Sequence, residues 1–139
     1  KPDKHYYIFS GEITEKKSKT AKSIDVVITK KNENYQSLDF SIKKPEIFFF
    51  GYCKVIITSG GHQDNQIKDA ISFINESYKH LENNNDQNFY YFVQLDGKEA
   101  IRQLAKVKNE IKHKNKIFAG TTDTLIKWIN NKCKKEIIS

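Results

Sequence analysis

The chain has 139 residues, 37% of them apolar, with nine Phe and seven Tyr. That is enough for one domain with one core, and it argues against a disordered chain; no apolar run approaches the ~20 residues of a membrane-spanning helix. The net charge of +7 comes almost wholly from lysine, with Arg102 the single arginine. This favours polyanions such as nucleic acid, although joint abundance of Lys, Asn and Ile is also what base composition produces.

In chain order, residues 5–9 (HYYIF) suggest a short strand. Residues 11–23 carry Lys16, Lys17, Lys19 and Lys22 among Ser and Thr and suggest an exposed loop or short helix, a basic face toward solvent or toward phosphate. Residues 24–29 (IDVVIT) form a β-branched, continuous strand pattern. A turn at 31–34 leads to 35–42 (YQSLDFSI), whose alternation predicts the second arm of a hairpin. Pro45 ends that arm, and 47–58 is a long apolar strand stopped by Gly60 and Gly61. A period of 3.6 then takes over: Ile67, Ile71, Ile74, Tyr78 and Leu81 share one face of a helix over 65–82. After a polar loop at 82–88 comes a buried strand at 89–95 (FYYFVQL), stopped by Asp96 and Gly97. A helix over 98–112, a short strand at 116–119 and a helix over 122–135 complete the pattern.

The first part is thus a β-meander and the second β-α-β-α-β-α. Alternation of strands and helices implies parallel pairing through right-handed crossovers, hence one α/β domain with a mixed central sheet flanked by helices. The chain begins at Lys1 rather than Met, as a piece of a longer protein does. Cys53 and Cys133 lie far apart without metal-ligand spacing. Cys53, in an apolar run, suggests a buried thiol and a reducing compartment, the cytoplasm.

Three stretches carry a resemblance: Ser23 to Ile28 (SIDVVI), an acid in an apolar run; the run IFFFGYCKVIITSGGHQDNQ, a strand leading into a Gly-rich loop and a helix; and FYYFVQLDG. In this order they resemble the core of the PD-(D/E)xK nucleases, in particular type II restriction endonucleases. The resemblance covers roughly Ser23 to Gly97. It implies a restriction-endonuclease-like fold, hydrolysis of double-stranded DNA with Mg2+, Asp25 as the first metal-binding acid and Lys54 as the lysine of the second strand. A homodimer is the assembly it implies, since cutting both strands suits a two-fold. The family places an acid two residues before that lysine; this chain has Tyr52 there, after Gly51.

The chemistry can be read from the residues as well. Phosphodiester hydrolysis needs charge stabilisation at phosphorus and an activated water, which a carboxylate-held Mg2+ and a nearby lysine supply. Asp25 stands where the strand pattern demands an apolar residue, so it reads as a metal ligand or as a strand-end carboxylate facing water. Asp39 is the best second acid: a simple hairpin would set it nearly opposite Asp25. The plainer alternative is that Asp39 alternates outward. Glu12 and Glu46 are weaker substitutes. Lys54, inside GYCKVII, must snorkel out or meet an anion. Ser59, Gly60, Gly61, His62 and Gln63 form a loop before a helix start, a place suited to phosphate, and with Lys16, Lys17, Lys19 and Lys22 they make the expected DNA-binding face. Phosphate-loop, dinucleotide and zinc signatures are absent, and a Cys53–His62 thiol pair has nothing to orient it. The rival readings are a nuclease-like domain that binds DNA or protein without cutting, and an unrelated α/β binding module.

Overall fold

The computed structural model describes residues 5–31, 46–56, 61–84 and 88–133. The elements in chain order are β1 (Tyr6–Phe9), β2 (Glu12–Thr14), β3 (Lys22–Ile24), β4 (Val26–Lys31), β5 (Glu46–Val55), α1 (Gly61–Asn83), β6 (Phe89–Asp96), α2 (Ala100–Lys108), β7 (Ile117–Gly120) and α3 (Thr122–Cys133). They make a mixed four-stranded sheet in the order β4-β5-β6-β7 and a separate antiparallel sheet in the order β2-β1-β3. β4 runs antiparallel to β5, while β5, β6 and β7 are parallel. The expected α/β class, with its mixed central sheet and flanking helices, is the one observed.

The two crossovers step the same way across the sheet. Right-handed connections therefore put α1 and α2 on the same face. There Phe50, Tyr52, Tyr91, Val93 and Leu95 pack against Phe73 and Ile74 of α1 and Leu104 and Val107 of α2. The opposite face belongs to α3, where Ile47, Phe49 and Phe92 meet Leu125, Ile129 and Cys133. Alternation along β6 divides its side chains between these two layers, as period 2 requires. Ile8 and Ile24 bring the small sheet into the first layer, beside α1. Gly51 faces the second layer with no side chain because the Phe92 ring fills that space: a Cβ there would lie 2.1 Å from a ring carbon.

Several sequence expectations need correcting. Residues 24–29 are not one strand. The chain leaves the small sheet at Ile24 and enters the central sheet at Val26, with Asp25 between them. The 11–23 segment is neither simple loop nor helix, since β2 and β3 flank its basic stretch; Thr14 pairs with β1 across a short hairpin, and Lys22 and Ser23 pair with it from beyond the basic stretch, a contact that local composition does not encode. α1 starts at Gly61 rather than near residue 65, so Gly61, His62 and Gln63 belong to its first turn, not to a preceding loop. α2 is also shorter than expected. The predicted strand at 35–42, with Asp39, lies outside the described residues, as do Ser59 and Gly60. Among the described residues no helix is long and apolar enough to cross a membrane.

Candidate functional site

The break between β3 and β4 positions Asp25. Its backbone N–H donates to Gly51 O at 2.8 Å, which joins the break to β5. The register sets Val26 opposite Gly51, so Asp25 falls beside the Tyr52–Lys54 end of β5. Asp25 Oδ2 accepts from the Cys53 backbone N–H at 2.7 Å and from Lys54 Nζ at 3.4 Å. Ser23 Oγ donates to Oδ1 at 3.2 Å. Two strand ends therefore bring an acid and a lysine, 29 residues apart in sequence, into one contact. The pair is partly open to solvent, with side-chain exposures of 33% for Lys54 and 25% for Asp25.

Lys54 reaches out of the strand over the Tyr52 ring, 4.8 Å from its centre. Its head group lines a cleft of about 480 Å3 together with Tyr7, Lys17, Lys19, Lys22, Tyr52 and Asp69. Lys22 is held there by an ion pair to Asp69 of α1 at 3.0 Å. Burial, then the Asp69 and Asp25 carboxylates, push the Tyr52 hydroxyl well above its usual range, so it stays protonated and can donate a hydrogen bond. The cleft thus offers four ammonium groups and a neutral phenol, a donor set suited to phosphate oxygens.

On the α3 side of the same strand ends lies a polar network. Asp96 accepts from Gln94 Nε2 at 2.8 Å, from Thr122 Oγ1 at 2.6 Å and from the Thr122 backbone N–H at 2.9 Å. Burial opposes the charge on Asp96, but these hydrogen bonds outweigh it and hold the carboxyl below its usual range. The network ties β6 to the start of α3. Cys53 Sγ sits 3.6 Å from Gln94 Oε1. Burial, and then the Asp25 carboxylate, push that thiol up to about 11 despite Lys54 nearby, so it is no nucleophile at neutral pH.

Of the sequence-derived candidates, Asp25, Lys54, Lys17, Lys19 and Lys22 come together. Lys16 does not line the cleft; its backbone is tied to Thr14 Oγ1. Glu46 pairs with Lys31 at the far end of β5. Glu12 lines a different cleft, beside His80 and Asn83. Neither can serve as the second acid. Asp39 lies outside the described residues. Sequence reading missed Tyr7 and Asp69, because each belongs to an element whose packing partner is far away along the chain. It noted Tyr52 only as the occupant of an acid's place.

Among the described residues no three His, Cys, Asp or Glu side chains gather where an ion could sit. Mg2+, however, is commonly held by one or two carboxylates, with water and phosphate oxygens filling its other positions. Asp25, ion-paired with a lysine that lines the cleft, would supply the lower number. No protein-family model, curated protein or solved structure matches this chain.

Proposed function

We propose that this chain is a restriction-endonuclease-like domain that binds double-stranded DNA at the lysine-lined cleft and hydrolyses a phosphodiester with Mg2+. One observation carries the reading: Asp25, at the entry to one strand, holds Lys54 of its antiparallel neighbour, and Lys54 lines a cleft with three further lysines. Lys17, Lys19 and Lys22 bind the phosphate backbone. Lys54, tethered by Asp25, lies within reach of a phosphate oxygen or the attacking water. The protonated Tyr52 hydroxyl donates to a phosphate oxygen as negative charge grows on it. Ser23 and the Cys53 N–H fix the orientation of the Asp25 carboxylate, which would hold the ion; bound Mg2+ supplies charge neutralisation at the phosphate.

The test is duplex DNA with Mg2+ or Mn2+, cut by the wild-type protein and by Asp25→Asn. The variant is expected to keep DNA affinity and to lose cleavage by orders of magnitude, since an anionic ligand is gone. Lys17→Gln, Lys19→Gln and Lys22→Gln are each expected to lower the slope of log affinity against log salt by about 0.9. Equal cutting by wild type and Asp25→Asn, or no salt-dependent binding, overturns the reading.

A second reading has its own support. Tyr52, not a carboxylate, stands beside Asp25 on β5, and Asp25 Oδ2 already accepts from two protein donors. Such a site suits a nuclease-like domain that binds DNA without cutting it. DNA binding with no cleavage by either protein, under any divalent ion, selects this reading.

A further inference from the structure

A second cluster of positive charge lies on the other face of the sheet. Lys116 Nζ stands 4.4 Å from the centre of the Tyr90 ring, and Lys132 Nζ stands 5.6 Å from the same ring and 5.8 Å from that of Trp128. Trp128 is itself fixed by stacking on Phe118 at 5.1 Å and by an edge contact with Tyr90 at 5.8 Å. The rings belong to β6, β7 and α3, so three elements hold one small platform. Neither lysine has a carboxylate partner among the described residues.

Two ammonium groups over one ring each gain from its negative face, but they repel each other. Burial, and then the repulsion of Lys132, lower the pKa of Lys116. An anion beside the two would offset that repulsion. The locus cannot be part of the lysine-lined cleft. Tyr90 pairs with Phe49 and faces α3, whereas Lys54 pairs with Leu95, five residues and roughly 16 Å further along the strand.

We infer that Lys116 and Lys132, held over Tyr90 and Trp128, form a second anion site that takes a phosphate group. The site stands apart from the nuclease reading, since its residues touch none of the cleft. A free phosphate and the phosphate of a nucleic-acid strand present the same chemistry to the two lysines.

Trp128 is the one tryptophan of the chain, so its indole N–H gives a single resonance at this site. Sodium phosphate, titrated against sodium chloride at equal ionic strength, is expected to shift that resonance saturably. A short oligonucleotide forms the second arm, and saturation by it at much lower concentration identifies a strand rather than free phosphate as the ligand. In the doubly substituted Lys116→Gln/Lys132→Gln protein the half-saturating concentration should rise by about tenfold or more. Lys17→Gln/Lys19→Gln should leave it unchanged. The inference fails if chloride shifts the resonance equally, if neither ligand shifts it, or if the double variant responds like the wild type. The wild-type titration decides the matter even if the variant folds poorly.

Discussion

The two halves of β5 both run beside β6, but only the first also pairs with β4, whose ladder ends at Val26 opposite Gly51. From Ile47 to Phe50 the strand is clad in aromatics. Phe49 stacks on Tyr90 at 5.2 Å and meets Trp128 edge-on, while Phe50 packs edge-on against Phe89 and His80. From Gly51 to Val55 the same ladder carries a phenol, a thiol and a lysine, and it ends on Val55 at 64% exposure. Pairing with β6 does not account for the contrast, because that register runs unbroken through both halves, whereas on the other edge the β4 ladder stops at Gly51. The cover changes as well. The first half is buried beneath helices on both faces, whereas the second opens on one side to the lysine-lined cleft and on the other to the Asp96 network. A strand can thus be apolar core at one end and polar surface at the other, provided each polar group at the open end finds a partner.

That contrast can be broken most sharply at Phe49, which is wholly buried. Phe49→Ala should cost about 4 kcal/mol in urea unfolding, while Lys54→Ala should cost under about 1 kcal/mol, because the ion pair it removes is partly exposed. If the two costs are alike, the division of β5 is wrong. Next in size is Gly51→Ala, at the boundary between the halves. Its methyl group would collide with the Phe92 ring, so a loss of about 2–3 kcal/mol is expected. A neutral outcome would mean that Phe92 swings aside freely.

Removing Asp25 should have a smaller effect on stability than on the DNA cleavage proposed above. Asp25→Ala leaves the Cys53 N–H and Lys54 without their acceptor, which should cost about 1–2 kcal/mol. Thermal unfolding of the two proteins side by side checks this.

The smallest effect concerns His80, the buried histidine beside the first half of β5. Burial lowers its pKa from the ordinary 6.5, and burial raises that of Tyr91. A neutral His80 Nδ1 and a protonated Tyr91 hydroxyl therefore share one hydrogen bond, 2.5 Å long, whose donor depends on the imidazole tautomer. Below pH about 6.5 the unfolded chain takes up a proton that the folded one refuses. Stability is thus full above that pH and falls as pH drops toward the folded-state value. Urea midpoints at pH 8 and pH 5 should differ more in the wild type than in His80→Gln; equal differences would show that His80 titrates normally.

Much of this architecture follows from local pattern. The continuous apolar run at 89–95 and the period of 3.6 after residue 65 place a buried strand and an amphipathic helix, because each must hide one face or both. The chain order of strands and helices then dictates parallel pairing and the side on which α1 and α2 lie. Asp25 and Lys54 were also legible, as charges in runs that should have been apolar, since a charge in such a run must find a partner. What the pattern could not reveal is where IDVVIT breaks. Asp25 marks the passage between two sheets only because the Gly51 carbonyl and the Cys53 N–H, both remote in sequence, bind its backbone and side chain. Likewise Asp69 and Tyr7 reach the cleft, and Lys116 and Lys132 meet over one ring, through the packing of elements that are distant along the chain. Local sequence selects which element forms and which face it buries; the groups that share a site are chosen by how those elements pack, and that is decided by the tertiary fold alone.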